Sequence, residues 1–143
     1  MRGRQFLDTN IFVYTFDGRT AARQARAKEL VQRSLRERTG IVSFQVVQEF
    51  VNVATTKFTT PLSGPDCALY LNKVLFPLCE IHSSNSLYAE ALDIQERWQF
   101  SFFDSLIVAA ALAAGCRTLW SEDFRNDQKV RELTIRNPFR PLE

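Results

Sequence analysis

Short apolar runs, each followed by a longer helical pattern, constrain this chain more than any other feature. Residues 5–7, 41–43, 78–82, 117–120 and 133–136 read as strands of three to five residues. Between them lie amphipathic segments at 20–38, 45–57, 65–75 and 84–99, and a nearly all-apolar one at 101–115. Segment 20–38 shows the pattern clearly. Ala22, Ala25, Leu30, Val31 and Leu35 form its apolar stripe and most of the rest is charged or polar, with Gly40 expected to end the helix. Parallel strands need crossovers of a dozen residues or so, and helices supply them. The expected fold is therefore α/β, a mostly parallel five-stranded sheet with helices on both faces. Helix 101–115 is apolar almost all round from Leu106 to Ala114, so it belongs in the middle of the domain. The 143 residues suffice for one core, and the expectation is a single domain over 1–143.

Four carboxylates stand where these elements meet turns. Asp8 ends the first strand, and Glu49 lies one turn into the helix after the second. Asp104 sits in the first turn of the central helix, and Asp123 lies just beyond the fourth strand. Open parallel sheets bind ligands outside the carboxyl ends of their strands, so all four can reach one crevice. Each acid alone has a plainer explanation. Asp8, with Thr9 and Asn10, suits the cap of a short helix. Ser101-x-x-Asp104 resembles a capping box, and Asp123 suits a turn. Glu49, however, borders the apolar stripe of Val46 and Phe50, where an unpaired carboxylate is costly. Converging carboxylates without a basic partner repel one another, and a hard cation relieves that repulsion. The set therefore points to magnesium or manganese and to phosphate chemistry.

Other residue types exclude competing chemistries. His82 is the only histidine, so a two-histidine ribonuclease mechanism is unavailable. Cys67, Cys79 and Cys116 are odd in number and match no zinc spacing, so reduced thiols in a cytoplasmic protein are expected. No apolar leader precedes Asp8, and the longest apolar stretch falls well short of the ~18 residues of a membrane span. Residues 19–38 hold seven basic side chains against two acidic ones, a net of +5 in a chain whose total is +2. That helix is either a solvated face or a surface for phosphates or a partner. Trp98 and Trp120 adjoin apolar runs, so core packing is favoured over base stacking.

The segments F-L-D-T-N-I-F-V-Y at 6–14, S-F-Q-V-V-Q-E-F at 43–50, F-F-D-S-L-I-V-A-A-A at 102–111, L-W-S-E-D-F at 119–124 and L-T-I-R-N-P-F at 133–139 together carry a resemblance. In this order and spacing the chain resembles the PIN-domain family, in particular the VapC-type toxins of toxin–antitoxin pairs. The resemblance implies a PIN-like three-layer sandwich and a metal-dependent endoribonuclease leaving a 5′-phosphate and a 3′-hydroxyl. It implies Asp8, Glu49, Asp104 and Asp123 as the acidic set, with Asn10 and Ser121 orienting it. Asp8 and Asp104 are the leading ligands for Mg2+ or Mn2+. Glu49 and Asp123 would bind the same ion through water, or a second ion. Glu122, adjacent to Asp123, is a further candidate contact. The implied partners are RNA, a cognate antitoxin protein and a second copy of the chain in a homodimer, with no membrane. Apolar residues around Phe58 and Leu62 and from Leu69 to Phe76 are the material for that dimer.

Two rivals remain on the sequence. A catalytically inactive PIN-like RNA-binding or adaptor module would not need the complete acidic set. A phosphotransferase of the haloacid dehalogenase type would place a second Asp two residues after Asp8, where this chain has Asn10.

Overall fold

A computed structural model describes residues 3–140. The expected domain limits of 1 and 143, and the expectation about the segment before Asp8, fall partly outside the described residues.

The chain runs β1 (Gln5–Leu7), α1 (Thr9–Tyr14), α2 (Ala21–Glu37), β2 (Gly40–Ser43), α3 (Phe44–Thr56) and α4 (Gly64–Tyr70). A π-helical turn (Leu71–Leu75) and α5 (Phe76–Leu78) lead into β3 (Cys79–Ile81). Then come α6 (Asn85–Trp98), α7 (Phe102–Ala113), β4 (Thr118–Trp120), β5 (Gln128–Val130) and β6 (Leu133–Arg136). The sheet order is β3-β2-β1-β4-β6-β5, parallel throughout except where β5 pairs antiparallel with β6. The α/β architecture, with helices flanking a mostly parallel sheet, is the one the strand–helix alternation implies.

Three local expectations need correction. The sheet has six strands rather than five. β5 has no apolar run to announce it, only Gln128, Lys129 and Val130, and the tight reversal into β6 carries Arg131 at φ 55°. The segment expected as one helix over 65–75 is two pieces, since α4 ends at Tyr70 and Leu71–Leu75 form the π-helical turn, with the short α5 following it. Gly40 does not end α2. Arg38 does so in the left-handed conformation (φ 57°), and Gly40 opens β2. Its missing side chain matters there: a Cβ on Gly40 would stand 2.3 Å from Ser34 Cβ on α2. Gly115, by contrast, turns the chain out of α7 with φ +72°, as expected of a glycine after a helix.

Two features position the site. First, β1 is central, with β2 on one side and β4 on the other. Chain order leaves β1 toward β2 and β3, then crosses over to β4. The gap between β1 and β4 is thus the topological switch point, where a crevice opens at the carboxyl edge. Right-handed crossovers put α1 to α5 on one face and α6 with α7 on the other. Second, α7 touches both β2 and β4 and so lies across β1. Its residues from Ser105 to Ala111 are all buried. The core gathers Phe6, Phe12, Phe50 and Phe139, all without exposure, and Phe50 stacks on Tyr70 with centroids 4.9 Å apart.

Among the described residues, no helix is long and apolar enough to cross a membrane. The three cysteines are free thiols, Cys67 and Cys116 buried. His82 is exposed beyond β3. Trp98 and Trp120 both pack against the core.

Candidate active site at the carboxyl edge of the sheet

Asp8 leaves β1 at the switch point and caps α1. Its Oδ1 accepts the Thr9 backbone N–H at 2.7 Å, and its Oδ2 accepts the Ser121 hydroxyl at 2.7 Å. Ser121 follows β4, so this second bond spans the gap between the two strands. The backbone closes the same gap: Asp8 N–H donates to Trp120 O at 3.0 Å. Ser121 Oγ in turn accepts the Asp123 N–H at 3.1 Å and so shapes the turn carrying that acid.

The side chain of Asp8 is buried, and burial is the main cause of a pKa pushed up to about 7. The bonds from Ser121 and Thr9 pull it down, while the charges of Asp123 and Glu49 push it further up. Asp104 shows the same field from the other side. Burial raises its pKa first, the Ser101 hydrogen bond lowers it, and Asp123 and Glu49 raise it again. The same two acids therefore act on both Asp8 and Asp104, which places the four in one electrostatic neighbourhood. Asp123 is exposed, and Glu49 and Asp104 are half-buried.

Local structure explains each position. Ser101 caps α7 by accepting the Asp104 N–H at 3.1 Å, so Asp104 sits in the first turn, where the helix dipole favours an anion. Glu49 lies in the second turn of α3 and accepts the Thr9 hydroxyl at 2.6 Å. Thr9 thereby ties α1 to α3 within the site. Sequence reasoning gave Thr9 only a capping role; the D-T pair at a strand end was the available signal. Gln45 is a second residue it missed. Its Nε2 donates to Phe103 O at 3.1 Å, joining the starts of α3 and α7 beside Asp104.

Asn10 and Glu122 are brought together. Asn10 Nδ2 donates to Glu122 Oε1 at 3.3 Å. Tyr14 Oη lies 3.5 Å and Arg23 Nη1 3.4 Å from Glu122 Oε2, and Arg23 also donates to Tyr14 Oη at 2.8 Å. The Arg23 guanidinium lies 5.5 Å from both the Tyr14 and Phe139 ring centroids. Glu122 is thus held in a basic, aromatic clamp, while its neighbour Asp123 faces the acids.

The donor set fits a hard divalent cation. It consists of carboxylate oxygens that repel one another. Two further oxygens at this edge, Ser43 Oγ and Gln45 Oε1, are buried without a hydrogen-bond partner among the described residues. Among those residues, no three Asp, Glu, His or Cys side chains stand close enough to enclose an ion by themselves. Magnesium does not require that. It keeps several waters and binds through one or two carboxylates together with substrate phosphate. Shared field and open spacing are therefore compatible.

The fold is thus an α/β sheet with carboxylates at its switch point. The family model of the PIN domain matches residues 6–131, and the chain belongs to the PIN-domain family. No curated protein matches the sequence. Solved structures share the fold at low identity. A toxin–antitoxin complex from Klebsiella pneumoniae superposes with a TM-score of 0.67 at 16% identity, covering 94% of this chain and 97% of that one. VapC20 of Mycobacterium tuberculosis, described as a sarcin-ricin loop cleaving toxin, gives 0.60 at 17%, covering 83% and 89%. VapBC2 from Rickettsia felis, bound to a promoter DNA fragment, gives 0.64 at 17%, covering 93% and 97%.

Proposed function

We propose that this chain is a magnesium- or manganese-dependent endoribonuclease and the toxin of a type II toxin–antitoxin pair, one domain over 1–143 acting in the cytoplasm. One observation carries the reading: Asp123 and Glu49 act on both Asp8 and Asp104 at the switch point. Four carboxylates held in mutual repulsion serve little structural purpose. The fold shared with toxin chains, one of them named for RNA cleavage, supports the choice of substrate.

In this reading Asp8 and Asp104 hold the cation, with Glu49 and Asp123 joining through water or a second ion. The cation would supply Lewis-acid polarisation of the phosphodiester and a more acidic water. Ser121 and the Thr9 N–H fix both oxygens of Asp8, so its orientation precedes binding. Thr9 Oγ1 fixes Glu49 in the same way. Asp123 is the most exposed of the four, and in this reading a carboxylate of the set accepts the proton of an attacking water. The cluster itself repels RNA phosphates, so substrate binding needs positive charge nearby. Leu69 and Phe76, each about half exposed, belong to the surface we assign to a homodimer, while Phe58, Leu62 and Leu71 pack back on the core. The antitoxin partner follows from the same reading.

The test is RNA cleavage by the purified chain with and without chelator. Activity should vanish in excess EDTA and return with Mg2+ or Mn2+. Undiminished cleavage in EDTA would sink the mechanism. RNA binding without cleavage in either metal would favour an inactive RNA-binding module.

A further inference from the structure

One strand beyond the carboxylates, the carboxyl edge changes sign. A cleft of about 370 Å³ opens there, lined by Arg26, Trp120, Asn126, Arg136, Asn137 and Arg140. Its size lies within the roughly 300–1,000 Å³ of ligand-binding clefts. Among the described lining residues Asp127 is the only acid, set against three guanidiniums, of which Arg26 also pairs with Glu29 on α2.

The backbone fixes this cleft relative to the acids. Trp120 pairs with Leu7 on one side and with Arg136 on the other. Ser121, whose hydroxyl holds Asp8, donates its N–H to Arg136 O at 2.9 Å. Asp8 and Arg136 thus stand at the ends of strands two spacings apart, roughly 10 Å. A single-stranded backbone crosses that distance in a few nucleotides.

The lining groups are donors with capacity to spare. Arg26 stacks 5.5 Å from the Trp120 ring centroid, donates Nε to Pro138 O at 3.1 Å and Nη1 to Glu29 Oε1 at 3.2 Å; these contacts hold its planar group at the cleft wall and leave its remaining N–H for a ligand. Arg136 lies 3.7 Å from Asp127, but both side chains are more than half exposed, so this pair is weak. Arg140 is exposed and has no acidic partner among the described residues. The Asn126 and Asn137 carboxamide oxygens accept the N–H groups of Asn137 and Phe139, at 2.7 Å and 2.9 Å. Those bonds pin the turn after β6 and leave the amide NH2 groups as donors, that of Asn126 already sharing one N–H with Asp127 Oδ2 at 3.4 Å. Rigidly placed N–H donors of net positive charge are the chemistry of phosphate recognition.

We infer that this cleft is a subsite for a backbone phosphate of single-stranded RNA, on the β6 side of the bond to be cut. The inference rests on the endoribonuclease reading and adds the surface that offsets the repulsion of the carboxylates. It also fixes the direction in which the strand crosses the sheet edge, from the β1–β4 gap toward β6.

The test separates binding from cleavage. A short fluorescein-labelled oligouridylate is titrated into the full chain in chelator, where no cut occurs, over a range of salt. Arg136→Gln with Arg140→Gln should weaken binding roughly tenfold. The slope of log affinity against log salt should flatten by about 0.7 for each phosphate that the protein no longer neutralises. Arg140→Gln alone gives a milder version in case the double variant melts early, and Arg140→Lys should recover most of the affinity. With Mg2+, KM should rise in the double variant while kcat stays near that of the parent. A local reporter is available, since the chain has two tryptophans. In a Trp98→Phe background, Trp120 emission should change on adding the RNA, and this response should shrink with the two Arg replacements. Unchanged affinity and salt slope in the double variant overturn the subsite, as does failure of the parent to bind RNA. Intact RNA binding with lost binding of a protein partner would assign the cleft to that partner and overturn it equally. Arg-dependent RNA binding in a parent that cuts nothing would instead sink the nuclease reading and leave the subsite standing.

Discussion

Glu122 and Asp123 are neighbours in the chain, yet their surroundings divide the sheet edge by charge. Asp123 faces Asp8 and Asp104, and the charges felt there are those of other acids. Glu122 is met by Arg23, Asn10 and Tyr14. The acidic half thus calls for a counter-charge from outside the chain, while the other half is neutralised internally and carries surplus positive charge toward β6. Fold stability alone would favour pairing the two halves. Keeping them apart costs free energy, and that cost marks where a ligand is expected.

The contrast is broken most directly by removing charge from the acidic half. Asp8→Asn, Glu49→Gln, Asp104→Asn and Asp123→Asn should each keep the fold. The Asp8 and Asp104 replacements should lower RNA cleavage by roughly a thousand-fold, within the range of lost positioned catalytic groups. Cleavage rates measured beside melting curves check this. Parent-like cleavage by Asp104→Asn would show that the acids are not one site.

Stability against pH sharpens the contrast next. The folded-state pKa of Asp8, about 7, lies above its ordinary 3.8. The folded state therefore holds this proton more tightly than the unfolded chain. In metal-free buffer, stability should be greatest near pH 4 and fall as pH rises toward 7, by up to roughly 4 kcal/mol from this group. Asp8→Asn should remove most of that slope and exceed the parent in stability at pH 8. Urea unfolding across pH tests it, and a variant that is less stable at pH 8 would contradict the assigned cause.

The smallest effect is expected from the neutralised half. Glu122→Gln loosens the clamp on Arg23 without touching the acids, so cleavage should fall by about tenfold or less, as for residues that act through others. A loss matching that of Asp123→Asn would move Glu122 into the acidic half.

Much of this layout was legible in the sequence, for a physical reason. Buried parallel strands must be apolar, and their exits must be polar. Asp8, Asp104 and Asp123 therefore stand out against Phe6, Phe103 and Trp120. Elements resting on packing rather than pattern were not legible. β5 is a polar edge strand held by its pairing with β6, and its turns use Asp127 and Arg131 at positive φ where no glycine flags them. The division between Glu122 and Asp123 depends on where α2 brings Arg23, which no local spacing encodes. The basic row on α2 was visible as charge. Its pairings were not: Arg19 with Asp17, and Arg26 and Arg33 with Glu29. These leave less of that helix free than its net charge suggests.

The close seat of α2 on β2 at Gly40 has a consequence for how this protein tolerates change. Ser34 and Gly40 act as a datum, a reference contact from which the whole helix is gauged. Arg23 and Arg26 lie on the same rigid rod, two to three turns away. Surface residues of α2 can drift through many generations without moving either guanidinium. A single methyl added at Gly40 would lift the rod from its seat and shift both at once, one from Glu122 and the other from Trp120.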